Sequence, residues 1–132
     1  MRIFLDTNVL ASAVATRGLC SDVFREVLAY HELIICECLL KELKRVLHKK
    51  FLLSSSLTSE VLTLLHQDTV LVRSSDTLRV PIKDKDDLKI LSAALNGDAQ
   101  LFVTGDKELL ALRKIKSMCI VSPRGFWEEL KE

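Results

Sequence analysis

An α/β domain built on a mostly parallel sheet is what this sequence predicts, and two features of its apolar pattern carry the prediction. Short apolar runs alternate with longer segments of helical period. Several of those runs are continuously apolar rather than alternating, as strands covered on both faces are. At 132 residues the chain has the size of one compact domain that can bury a core without staples, and 1–132 is read as a single unit.

In chain order, five strands are expected: Ile3 to Leu5, Leu33 to Ile35, Val70 to Val72, Leu101 to Val103 and Met118 to Val121. Helical period places helices near Asn8 to Val14, Ser21 to Tyr30, Cys38 to His48, Thr58 to His66, Asp86 to Leu95 and Lys107 to Arg113. A last helix runs from Pro123 to Leu130, with the proline at a helix start where its missing donor costs little. Ser54-Ser55-Ser56 reads as a turn inside a helical region, and Arg73 to Asp84, polar and containing Pro81, as an irregular connection.

Composition narrows the class. Hydrophobic residues make up 48% and charged residues 28%, a globular balance. No run of roughly 18 apolar residues exists to cross a membrane. Asp6 and Asn8 interrupt the apolar N-terminal segment, which therefore does not read as a secretory signal, and a cytoplasmic location is expected. Cys20, Cys36, Cys38 and Cys119 are expected to be buried reduced thiols. Cys36 and Cys38 are too close for a relaxed disulfide if both lie on a strand, and no zinc-site spacing occurs. The net charge of +1 does not mark a nucleic-acid binder. Lys41, Lys44, Arg45, His48, Lys49 and Lys50 nevertheless crowd one segment, which is either a solvated helix face or a surface that steers phosphates.

The acidic residues carry the chemistry. Asp6 directly follows the first apolar run, so its carboxylate stands at the carboxyl end of a strand, the edge where open α/β sheets bind ligands. Alone, an Asp there is better explained as a cap for the next helix. Leu101 to Val103 ends the same way, on Thr104-Gly105-Asp106. On the helix bearing Leu88, Ile90, Leu91, Ala94 and Leu95, a rotation of about 100° per residue puts Asp87 near the middle of the apolar face. Asp84 and Asp86 fall outside it, as a cap and a first-turn charge. The same count puts Glu42 at the border of the face formed by Leu39, Leu40, Leu43, Val46 and Leu47.

Four carboxylates, Asp6, Glu42, Asp87 and Asp106, thus lean toward one edge of one sheet. Two ionised carboxylates about 4 Å apart repel by roughly 4 kcal/mol at an effective dielectric of about 20, so such a cluster needs protons or cations. The Lys, Arg and His residues in these motifs do not suffice to neutralise that many charges, and a divalent ion would meet the need. Oxygen ligands alone favour Mg²⁺ or Mn²⁺ over zinc. Such ions meet phosphates and activate water, which suits phosphodiester hydrolysis. Asn8 and Thr104 are candidates to orient a carboxylate, a water or a phosphate oxygen, with local turn and cap bonding an equal explanation.

Strand-D-T-N-V-L at the start, Glu42 in an early helix, Asp87 opening D-L-K-I-L-S-A-A, L-F-V-T-G-D-K-E-L-L, and the closing I-V-S-P-R-G-F-W-E-E-L together resemble the PIN domain family. The likeness runs over essentially the whole chain. It is greatest to the small bacterial and archaeal PIN proteins, VapC-like, that are toxin components of toxin–antitoxin systems. The resemblance implies a three-layer α/β/α sandwich around a parallel sheet and a ribonuclease activity dependent on Mg²⁺ or Mn²⁺. It places the family's acidic quartet on Asp6, Glu42, Asp87 and Asp106, with Asp6, Asp87 and Asp106 as metal ligands and Asn8 and Thr104 at the accompanying polar positions. Where many relatives read D-P-D-D-D, this chain has Asp84-Lys85-Asp86-Asp87-Leu88, and helix phase selects Asp87 from that stretch. The likeness also implies a homodimer and a small antitoxin partner.

The function this supports is cleavage of single-stranded RNA, with Lys41, Lys44 and Arg45 steering the substrate. A phosphatase opening on strand-Asp is disfavoured, because that chemistry needs D-x-D and the third residue here is Asn8. A PIN-like module that binds RNA or protein without cutting is the alternative from another class.

Overall fold

The computed structural model describes residues 1–74 and 78–130. The chain runs β1 (Arg2–Leu5), α1 (Thr7–Ala15), α2 (Leu19–Tyr30), β2 (Glu32–Cys36), α3 (Glu37–Lys49), α4 (Ser55–Asp68), β3 (Val70–Val72), α5 (Lys85–Asn96), β4 (Leu101–Val103), α6 (Lys107–Leu110), β5 (Lys114–Ile115), β6 (Met118–Val121) and α7 (Pro123–Leu130). Helices flank a single sheet of order β3-β2-β1-β4-β6-β5, in which all neighbours are parallel except the β5–β6 pair. None of the helices among the described residues is long and apolar enough to cross a membrane.

Strand order decides where a ligand can enter. From β1 the chain steps outward to β2 and β3, then returns to lay β4 on the other side of β1. The direction of winding reverses between β1 and β4, and the connections leaving their carboxyl ends diverge, opening a crevice there. Asp6 and Thr104 are the residues that follow those two strands.

The five expected strands are all present, and the sheet has a sixth. The segment expected to be helical through Arg113 leaves the helix after Leu110, and Lys114–Ile115 returns as β5, antiparallel to β6. Arg113 and Lys116 take positive φ of 60° and 53° on either side of this short strand. A two-residue hairpin is normally announced by Gly, Asn or Asp. Here Lys116-Ser117 fills the turn, so the local signal is missing.

Ser54 caps α4, its hydroxyl accepting from the Leu57 amide at 3.1 Å, which accounts for the serine run as a helix start. Of the connection expected from Arg73 to Asp84, Ser75 to Thr77 lie outside the described residues. All four cysteines are free thiols, but only Cys36 is buried, and Cys38 belongs to the first turn of α3 rather than to a strand.

Core packing explains the continuous apolar runs. Ile3, Phe4 and Leu5 are all inaccessible, as are Ile34, Ile35, Phe102 and Val103, because helices cover both faces of the inner strands. Phe4 and Phe102 are register partners on β1 and β4, and their rings stack with centroids 5.3 Å apart. Gly97, at the C-cap of α5, lets the helix end rest on the sheet. A Cβ there would lie 2.7 Å from Ile34 Cγ2 and 2.9 Å from Val72 Cγ1. Ile34 is fully buried and has little room to retreat. Gly97→Ala is therefore expected to destabilise the fold by about 1–3 kcal/mol, measured by urea unfolding.

Candidate functional site

The site begins with a backbone bond. The Asp6 amide donates to the Val103 carbonyl at 2.9 Å, fixing the residue after β1 against the end of β4. Its carboxylate then does two things. Oδ1 accepts from the Thr7 amide at 2.8 Å at the start of α1, and Oδ2 accepts the Thr104 hydroxyl proton across the sheet at 2.7 Å. One carboxylate thus both caps α1 and bonds across the sheet to the residue after β4. Thr104 is buried, its amide donates to the Val121 carbonyl, and its hydroxyl oxygen accepts from the Asp106 amide at 3.0 Å. A single hydroxyl therefore links the segments that carry two of the predicted acids.

The other acids are placed by helix starts. Asp84 caps α5, Oδ1 accepting from the amides of Asp86 at 2.8 Å and Asp87 at 3.2 Å. This sets Asp87 in the first turn with its side chain half-buried. Asp106 caps α6 through the Glu108 amide at 2.8 Å and is exposed. Glu42 lies in the middle of α3, half-buried, as its position at the border of the apolar face predicts.

Electrostatics show that these residues from separate elements share one environment. Burial raises the Asp6 pKa against the hydrogen bonds from Thr104 and Thr7, and the charge of Asp106 raises it further. Burial also raises Glu42, Asp6 adds to that, and the Thr7 hydroxyl and Arg45 oppose it; Asp86 raises it again. Asp87 is pushed up to about 7, first by burial and then by the charges of Asp84, Asp6, Asp106 and Glu42. Asp87 thus feels all three of the other predicted acids.

The Asp87 shift has a consequence for stability. A carboxyl group raised from 3.8 to about 7 favours the protonated form in the folded state, so its contribution is complete at low pH and is lost as pH rises from about 4 through about 7. Asp6 and Glu42 are shifted in the same direction. In EDTA the melting temperature is expected to fall across this window, and Asp87→Asn is expected to flatten the fall, as followed by circular dichroism.

Not every predicted residue converges. Asn8 is exposed on the first turn of α1. Beside Glu42 opens a cavity of about 490 Å³ that includes Lys41, Arg45, Asp86 and Lys89 in its walls. Lys44 is exposed on α3 outside this lining. Three contributors were not singled out by the sequence in these roles. Thr7 is fully buried, and its hydroxyl, which has no other partner among the described residues, favours the charged form of Glu42. The charge of Asp86 acts on Glu42, and Lys89 joins the cavity wall. For Lys89, the exposed position three residues after Asp86 was a usable signal. For Thr7 there was none, because its nearness to Glu42 comes from the packing of α1 on α3.

The donor set suits a hard divalent cation: only oxygens, with Asp6 buried and Glu42 and Asp87 half-buried, and with pKa values raised first by burial and then by neighbouring negative charge. The ion pairs among the described residues, Arg2–Glu32 and Arg25–Asp22, involve none of these acids. Among the described residues no three side chains are already closed around a common point as an ion-binding group. Oxygens of Asp6, Asp84 and Asp106 are held by amides and a hydroxyl, and the rest repel one another.

Comparison with known proteins agrees with this architecture. A solved structure of VapBC2 from Rickettsia felis, bound to a DNA fragment from their promoter, superposes with a TM-score of 0.65 at 17% identity, over 92% of this chain and 98% of that one. No curated protein matches significantly. The family model of the PIN domain matches residues 2–108, from β1 into α6, which spans every acid of the cluster. The chain belongs to the PIN domain family.

Proposed function

We propose that this chain is a single-domain ribonuclease that cuts single-stranded RNA with Mg²⁺ or Mn²⁺. Asp6, Asp87 and Asp106 are its metal ligands, and Glu42 completes the catalytic carboxylates. The observation that carries the reading is the meeting of the Asp6 and Asp106 segments through the Thr104 hydroxyl at the carboxyl ends of β1 and β4, with Asp87, raised first by burial, sensing the charges of Asp6, Asp106 and Glu42. A bound divalent ion supplies charge neutralisation at the phosphate and an activated water. The chain's own residues supply the rest. Thr104 fixes the direction of Asp6 Oδ2, and Asp84 positions the first turn that presents Asp87. Near neutral pH Asp87 holds its proton part of the time, so cation binding there releases protons. Lys41, Arg45 and Lys89 draw the phosphate backbone toward the Glu42 side.

Likeness to a VapBC2 structure supports a toxin component held in check by a small antitoxin, and a homodimer is what the family resemblance implies. Calorimetric titration with Mn²⁺, paired with cleavage of a labelled single-stranded RNA, tests the reading. Binding and cleavage should both appear in the wild-type chain and both disappear in Asp87→Asn. Unchanged cleavage by that variant would overturn it. The alternative, an RNA- or protein-binding module without cleavage, draws on the open arrangement of the acids, and predicts RNA retention with no product.

A further inference from the structure

Two sulfurs lie together where β2 passes into α3. Cys36 is the last residue of the strand, with extended backbone at φ −138° and ψ 162°, and Glu37 begins the helix. The chain turns sharply between the two cysteines and brings Cys36 Sγ within 3.1 Å of Cys38 Sγ. On a continuous strand such neighbours would not meet; the strand-to-helix turn removes that obstacle.

We propose that Cys36 and Cys38 are a dithiol that oxidises to an intrachain disulfide at the wall of the cavity beside Glu42. The sulfurs need to close by only about 1 Å to reach the usual bond length of about 2.05 Å. Access and concealment are divided between them. Cys38 is half-buried and lines the cavity, where an oxidant can reach it, whereas Cys36 is 1% exposed. Their acidities are divided in the same way. With Cys36, the more buried of the two, as donor, the hydrogen bond between the sulfurs lowers the pKa of Cys38, and Ser74 Oγ, 3.6 Å from Cys38 Sγ, helps. The same bond and burial push Cys36 up. Cys38 is thus the attacking thiolate and Cys36 the resolving thiol. Cys20 and Cys119 lie on α2 and β6, and burial raises Cys20.

With a peroxide as oxidant the step balances. The Cys38 thiolate attacks one oxygen of hydrogen peroxide, the O–O bond breaks, and the departing oxygen takes a proton to leave as water. Cys38 becomes a sulfenic acid. Cys36 sulfur then attacks Cys38 sulfur, the S–O bond breaks, and the Cys36 proton leaves with the second water. Two thiols and one peroxide give one disulfide and two waters, the sulfurs losing the two electrons that the peroxide gains. Because Cys38 and Glu42 are one helical turn apart, the bond would form directly above the acid on α3.

Mass spectrometry of the full chain tests this without any activity measurement, so its outcome is separate from that of the ribonuclease reading. Folded protein is treated with hydrogen peroxide, free thiols are alkylated, and the chain is cut with trypsin. The peptide from Glu26 to Lys41 contains Cys36 and Cys38 and neither of the other cysteines. It should appear two hydrogens lighter and unalkylated, return to two alkylated thiols after reduction, and form at least about ten times faster than either other cysteine reacts. In Cys36→Ser the reaction should stop at a Cys38 sulfenic acid that dimedone traps. A wild-type peptide alkylated at both cysteines, one carrying a sulfenic or sulfonic acid on Cys38 alone, or a disulfide between molecules would each overturn the proposal.

Discussion

Asp6→Asn is expected to lower divalent-metal-dependent RNA cleavage by at least about 100-fold while raising the melting temperature in EDTA. The two effects have opposite signs because the same carboxylate is costly to the fold and, on the proposed function, needed by the chemistry. Asp6 is buried, and desolvation outweighs the bonds from Thr104 and the Thr7 amide. Asn keeps an oxygen for the Thr7 amide and can donate its new amide group to the Thr104 hydroxyl oxygen, so the cap is kept and the cost is the acceptor that the buried Thr104 hydroxyl proton loses. What disappears is the negative charge, and with it the repulsion from Asp106 and the pull on a cation. The check is a cleavage assay on labelled single-stranded RNA with Mn²⁺, beside thermal unfolding of the same samples. A variant that is more stable and inactive marks a functional charge; one that cuts at the wild-type rate removes Asp6 from the site.

Phe102→Ala is the substitution expected to cost the fold most, about 3–5 kcal/mol in urea unfolding. Phe102 is fully buried, and its ring stacks on Phe4 at 5.3 Å with planes 6° apart. The strand that carries it has three residues, so no neighbouring side chain on β4 points to the same face to take up the loss. A domain of this kind has only about 5–15 kcal/mol in hand, so a large share goes with one ring. The effect extends to function through geometry. β4 provides the Val103 carbonyl that receives the Asp6 amide, and Thr104 follows it directly. Weaker Mn²⁺ binding is therefore expected even under conditions where the variant remains folded, and calorimetry at low temperature checks it.

Much of the site was legible before any coordinates because its acids occupy positions with local meaning. Asp6, Asp84 and Asp106 each precede a helix, and each turns out to cap one. Asp87 and Glu42 were found from helical phase, and both are half-buried as that phase requires. The failures are equally physical. The sequence leaves β5 unassigned and runs the preceding helix on to Arg113, because Lys114–Ile115 is short and its turn has no Gly or Asn. The sequence argues against a relaxed Cys36–Cys38 disulfide only if both lie on a strand, and the change of backbone from strand to helix between them brings the two sulfurs together. Lys44 shares the charge of Lys41 and Arg45 but not their place beside the cavity, since charge alone does not choose a side of a helix.

Apolar runs covered on both faces, and acids at strand ends and helix starts, are readable from the residues alone, because both follow from periods of a few residues. Only the tertiary structure decided that β4 lies beside β1, so that Thr104 meets Asp6 and Asp87 senses Asp106 and Glu42. Strand pairing is made by backbone hydrogen bonds and shared burial between segments far apart in the chain. Neither leaves a local mark that names its partner.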